Sequence, residues 1–179
     1  MPNATHLTVP ALETERLTLR GHTPADYAEC AAMWADARVT EYIGGRPSTG
    51  EEVWTRLLRY VGMWALLGFG YWVVRERDTG RFVGEVGFAD FRREISPPLD
   101  APEAGWVLAP WAHGRGFATE AVRAALAWGD AHLAAPRTVC MIAPENAASI
   151  RVAQKLGFRE FGRTIFKGDD TLLFERLRG

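Results

Sequence analysis

The chain has 179 residues and a formal net charge of −1, with 21 Lys and Arg against 22 Asp and Glu. That length suits one domain, residues 1–179, able to bury about 70% of its unfolded surface, and the charge balance supplies no overall field for gripping nucleic acid or an anionic membrane. Hydrophobic residues make up 47%, which argues against disorder, and the two isolated cysteines, Cys30 and Cys140, argue against a disulfide framework or a zinc site and suit buried packing.

Residues 1–10 lack a basic region followed by an apolar run, so no signal peptide is expected. The longest apolar stretch, residues 60–74, is broken by Gly62, Gly68 and Gly70, so no membrane span is expected and cytoplasmic residence is the default. In residues 13–20, Leu17 and Leu19 alternate with polar neighbours and predict a half-buried strand. Thr23 and Pro24 start a helix over residues 24–35. Ser48 or Thr49 caps a second, with Glu51 and Glu52 at its positive end and Val53, Leu57, Tyr60, Val61 and Trp64 as its apolar stripe. Helical spacing predicts that Trp54, Tyr60 and Trp64 are core.

Beyond Gly70 the composition turns β-branched and aromatic. Residues 71–74 and 82–88, joined through Asp78, Thr79 and Gly80, predict a hairpin. A period of two puts Glu85 on one face with Val83 and Gly87. Pro97, Pro98 and Pro102 make residues 95–102 a loop. There follow a strand at 103–108, a helix from Gly114 to about His132, a strand at 137–142, a helix at 146–156 ended by Gly157, and strands at 158–165 and 171–176. The unit from 103 to 142 predicts two parallel strands joined by a right-handed crossover.

The chemistry concentrates where the strand at 103–108 runs through Gly114 and Gly116 into a helix. Glycines let the backbone turn sharply and approach a ligand closely. The first helical turn presents unpaired N–H groups and partial positive charge, a ready site for phosphate. Arg115 is placed to add a point contact. A tight turn with two convenient glycines would look the same, so the wider context decides. The Lys and Ser/Thr of a phosphate-binding P-loop are absent, and Thr119 stands where a dinucleotide fingerprint needs glycine.

His113-Gly114-Arg115-Gly116-Phe117-Ala118 resembles the acetyl-coenzyme A motif of the GNAT superfamily of N-acetyltransferases, Gln/Arg-x-x-Gly-x-Gly/Ala, departing at its first position, His113. Residues 118–121, the opening at residues 15–20 and the run from Asn146 and Ser149 to Lys155, Gly157 and Phe158 are similar to the branch of ribosomal-protein alanine and serine N-acetyltransferases. The resemblance implies an α/β fold: a mostly antiparallel mixed sheet of six to seven strands, a central splayed parallel pair and about four helices on its faces. It implies transfer of an acetyl group from acetyl-coenzyme A to an amine, with the cofactor in the gap between strands 103–108 and 137–142. Main chain near Val107 and Leu108 would bond the pantetheine arm, and the backbone of residues 113–118, from His113 through Gly114, Arg115, Gly116 and Phe117 to Ala118, would hold the pyrophosphate. Asn146 would touch the cofactor arm, although Pro144-Glu145-Asn146 alone reads as a helix cap. Ser149 would protonate the departing thiolate, since Ala153 stands where many members carry tyrosine.

The attacking amine must be neutral, so a base helps. Glu103 is the first choice, with a surface carboxylate as the competing reading, and Glu85 is the second. His113 suggests a phosphate neighbour; His6, His22 and His132 show no convergent partners. Asp100 and Glu103 could attract a cationic acceptor. The acceptor would be a protein N-terminus or a small amine, with no metal, nucleic acid or membrane involved, and the protein a monomer or homodimer. The competing function is a GNAT-like module that binds an acyl-coenzyme A without turnover.

Overall fold

The computed structural model describes residues 8–179; His6 lies outside them. In chain order the elements are β1 (Leu12–Glu13), β2 (Leu17–Arg20), α1 (Tyr27–Trp34), α2 (Ala37–Thr40), α3 (Gly50–Leu67), β3 (Tyr71–Glu76), β4 (Phe82–Ala89), β5 (Glu103–Leu108), α4 (Phe117–His132), β6 (Arg137–Ile142), α5 (Ala147–Lys155), β7 (Arg159–Phe166) and β8 (Asp169–Leu177). No helix is long and apolar enough to cross a membrane among the described residues. The eight strands form one sheet in the order β1-β2-β3-β4-β5-β6-β8-β7. Every neighbouring pair is antiparallel except β5 and β6, which are parallel as the crossover unit predicts.

The sheet gains β1 and the helices gain α2 over the expected numbers, because two residues or one helical turn leave no readable period. α4 begins at Phe117, not Gly114, since Gly114 (φ 72°) and Gly116 (φ 80°) are left-handed and cannot continue a right-handed helix. α3 follows its signals closely. The Thr49 hydroxyl accepts the Glu52 N–H (3.3 Å), and the Glu52 carboxylate accepts the Thr49 N–H (2.8 Å). Thr49→Ala removes half of this reciprocal cap and is expected to lower unfolding stability by about 1 kcal/mol in urea titration.

One sheet face packs on α1 and the body of α3, the other on α4 and α5, which the end of α3 reaches through Trp64. On the α4 face, Trp64, Trp72 and Trp128 meet edge to face with centroids 4.8–5.3 Å apart, above a core that includes Leu17, Leu19, Phe88 and Phe117. On the α1 face, Cys30, Met33 and Trp34 pack with Val53, Val73 and Val107. Tyr60 and Trp64 are buried as expected, but Trp54 is 39% exposed. It lies one residue off the stripe and packs edge-on against Tyr27 at 5.6 Å.

Glu85 and Val83 do not share a face. The register runs Val74↔Gly84 and then Arg75↔Phe82, so Val83 is the extra residue of a bulge. The bulge turns Val83 into the α4-side core while Glu85 faces α1. Both cysteines are buried and free.

Candidate active site

β5 leaves the sheet at Leu108 and makes one 3-10 turn, Pro110–Ala112, before the glycine turn. Nothing lies within 4 Å of a Cβ placed on Gly114, so its requirement is the positive φ alone. Gly116 is the N-cap of α4 and offers no side chain, so no cap bond is made to the first-turn N–H groups of residues 117–119. A cavity of about 620 Å³ opens at this terminus, lined by Arg16, Gly116, Thr119, Glu120, Arg123 and Lys155 among others.

The one acid on the cavity's α4 wall is already matched. Glu120 accepts Arg16 Nε (2.7 Å), the Arg16 N–H (2.9 Å) and the Thr14 hydroxyl (2.6 Å). Burial alone would raise its carboxyl, but these bonds outweigh burial and hold it below its ordinary value. Arg16 also donates to the Arg115 carbonyl (3.0 Å) and lies over Phe117, bracing the turn. Arg123 and Lys155 have no carboxylate within 4.0 Å among the described residues, so they line the cavity without a contact ion pair, and Glu15 is the second acid on its wall. Unpaired helix N–H groups beside free cations fit an anionic, phosphate-bearing group. Arg115 instead stacks over Trp111 (5.1 Å) and Phe117 (4.7 Å), near Glu76 (3.4 Å).

β5 and β6 touch at one end only. Glu103 pairs with Val139, the Val139 N–H donates to the Pro102 carbonyl (3.0 Å), and the two strands part beyond that point. The Ala109 N–H donates to Val83 of β4 (2.8 Å). Alternation along β5 therefore turns the main chain of Val107 toward β4 and that of Trp106 and Leu108 toward the gap. The Leu108 carbonyl meets His113 Nε2 at 2.9 Å, so the imidazole ties the turn back to the strand. At the wide end, beyond β6, Asn146 caps α5: its Oδ1 accepts the Ser149 N–H (3.0 Å), the capping reading of the sequence. Ser149 is half-buried, and no hydrogen bond from its hydroxyl is made among the described residues.

Glu103 sits at the closed end, 8% exposed. Arg93 grips it with Nε–Oε2 at 2.6 Å and Nη2–Oε1 at 2.8 Å. A carboxylate offers about four acceptor sites, so two lone pairs remain. Tyr71 stacks on Tyr60 (4.2 Å, 9°), and its hydroxyl lies against Gly105, where a Cβ would come within 1.9 Å. Burial, aided by neighbours including Glu103, raises the Tyr71 phenol well above its ordinary value, so it stays neutral. Asp100 is paired with Arg137. With Asp100 and Glu103 both matched by arginines, neither is free to attract a cation.

Glu85 is elsewhere: sealed under α1, 1% exposed, with three hydrogen bonds to its carboxylate. Its Oε1 meets His22 Nε2 (2.9 Å) and accepts the Cys30 thiol (3.3 Å); Oε2 accepts the Trp34 indole N–H (2.8 Å). His22 thus has the convergent partner its sequence neighbourhood does not reveal, 63 positions away. The His22, Cys30 and Glu85 ligand atoms lie within 4.8 Å of one another. Burial and Glu85 push the thiol up and keep it protonated, and the group's hydrogen bonds tie β4 to α1. His132 bonds the Trp128 carbonyl in its own helix (2.8 Å).

A sheet parted between parallel strands, with a bare helix terminus and free cations at the wide end, defines an acyltransferase domain of the mixed α/β class. The chain belongs to the GNAT acetyltransferase family: the family described as Acetyltransferase (GNAT) domain matches residues 16–159. An uncharacterised N-acetyltransferase of Bacillus subtilis, YoaA, is 27% identical over 154 residues, 86% of this chain and 85% of that protein. A solved structure from Bordetella pertussis, assigned to the GnaT acetyltransferase family, is 36% identical with a TM-score of 0.83, over 94% of this chain and 99% of that one. The ribosomal-protein-S5-alanine acetyltransferase of Vibrio fischeri shares the fold, with a TM-score of 0.74 at 22% identity over 95% of this chain and 97% of that one.

Proposed function

We propose that the protein transfers the acetyl group of acetyl-coenzyme A to a primary amine by direct attack within a ternary complex. The observation that carries this reading is the parted β5–β6 pair leading to the uncapped N-terminus of α4. The N–H groups of residues 117–119, with Arg123 and Lys155, would hold the phosphates, and the gap-facing main chain of Trp106 and Leu108 would line the pantetheine arm. The coenzyme supplies an activated thioester. In the transfer a C–N bond forms, the C–S bond breaks, the amine gives up a proton and the thiolate gains one.

Glu103 receives the amine proton through its remaining lone pairs, and Ser149, a half-buried hydroxyl on the first turn of α5, protonates the thiolate. Sealed under α1 and held by three hydrogen bonds, Glu85 is set aside as base. Glu103→Gln is expected to lower the rate about a hundredfold while the coenzyme dissociation constant holds within about twofold. An unchanged rate from pH 6 to 9 at saturating acceptor would remove Glu103 from the role. The whole reading is tested by calorimetric titration with acetyl-coenzyme A, then thiol release on adding amines. Binding with amine-dependent release supports transfer. Binding without release over a broad panel would favour the non-catalytic module.

A further inference from the structure

Three separate segments bring cations together at the closed end of the gap. Arg59 of α3 lies 5.0 Å from the centroid of Phe91, whose ring also carries Arg93 at 4.6 Å. Arg93 extends to Phe166 of β7 (4.6 Å), and Lys167 at the β7–β8 turn lies 5.5 Å from the same ring. Two phenyl rings therefore support three positive charges. Among the described residues, Glu103, on Arg93, is the one carboxylate within 4.0 Å of any of them. Asp169 stands opposite Phe166 in the hairpin yet makes no ion pair with the three. One turn earlier on α3, Arg56 lies over Trp34 at 3.7 Å, and its buried Nε has no partner. A guanidinium stacked by its face can still offer its N–H edges to planar or tetrahedral anions; the Nε–Nη2 edge of Arg93 is taken by Glu103, which leaves its Nη1 side and Arg59 for an anion.

We propose that Arg59, Arg93 and Lys167 form an anion subsite for the acceptor, so that the preferred substrate is an amine carrying a carboxylate or phosphate a few bonds from its nitrogen. The subsite borders Glu103, where the acetyl-transfer reading puts the amine, and rests on that reading for its role. A polyamine, cationic throughout, would meet like charge here.

The test pairs acceptors that differ only in the anion: β-alanine against its carboxamide, and O-phosphoethanolamine against ethanolamine, with spermidine as the cationic comparison. At least one anionic member is expected to exceed its neutral partner in kcat/KM by about tenfold or more, and Arg59→Met to reduce that ratio to about twofold or less. Whichever pair responds distinguishes carboxylate from phosphate. Equal use of the neutral partners, or preference for spermidine, would overturn the proposal. In parallel, succinate and inorganic phosphate are titrated into wild-type protein saturated with coenzyme A, following the arginine Nε resonances by NMR. A saturable shift of Arg59 that disappears in Arg59→Met supports the subsite even if no acceptor releases thiol, in which case the transfer reading alone fails. No saturable shift at Arg59 would sink the subsite whatever the acceptor panel shows.

Discussion

Gly116→Asp is expected to weaken acetyl-coenzyme A binding by about a thousandfold or more, close to 4 kcal/mol, while the protein stays folded. Gly116 sits at φ 80° as the N-cap of α4. Aspartate tolerates that region better than most side chains, and at an N-cap it suits the helix dipole. Its carboxylate would accept the first-turn N–H bonds itself, satisfying the donors assigned to phosphate and leaving negative charge where a second anion must approach. A Cβ at this position also comes within 3.4 Å of Arg16 Nη2, so the brace between Arg16 and the turn would shift. Gly116→Ala is the companion variant: it adds the backbone strain, about 1–2 kcal/mol, without the charge. Titration calorimetry with circular dichroism melting separates the two effects. If Gly116→Asp binds as well as wild type, the phosphates are held elsewhere.

The second large effect concerns stability. Asp26 is completely buried, and its carboxylate accepts from Arg20 (2.6 and 2.8 Å), from Arg75 (2.8 Å) and from the Thr23 N–H and hydroxyl (2.9 Å each). Burial alone would raise its carboxyl. The arginine and threonine bonds outweigh burial and hold it well below the usual carboxylate range. Asp26→Asn keeps the shape but leaves two guanidinium groups facing a neutral amide, an expected loss of about 3 kcal/mol at pH 7. The pH dependence follows from the direction of the shift. The folded-state value lies below the unfolded value of about 3.9, so this stabilisation is fully present above that value and is lost as pH falls through the range beneath it. Urea unfolding at pH 7 and pH 3 should show the gap between wild type and Asp26→Asn shrinking at the lower pH. A gap that stays constant or widens would refute this account.

The glycine loop before α4 is legible in the amino-acid sequence because its information is local: glycines at two left-handed positions between an apolar strand and a helix. β5 and β6 were readable to the residue for the same reason, each bounded by proline or glycine-rich turns. Arg16, Arg123 and Lys155 were not singled out as lining the cavity, since Arg16 reaches Glu120 across 104 positions and no spacing rule joins them. The partnership of His22 with Glu85 was hidden likewise, being made by the packing of α1 on the sheet. The face of Val83 failed through one extra residue, which reverses a period-two reading from that point on. Asn146 shows the reverse: its capping bond is local, and the local reading of it agrees with the structure.

The two outer margins of the sheet are poor templates for another chain. β1 is two residues long, and β7 carries Arg159, Glu160 and Arg163 along its exposed run. Such short or charged margins resist strand-to-strand association. The main-chain groups most open to new pairing lie inside the sheet, where β5 and β6 separate after Glu103 and Val139. The fold thus guards itself against aggregation at its periphery and keeps its adhesive backbone inside the sheet.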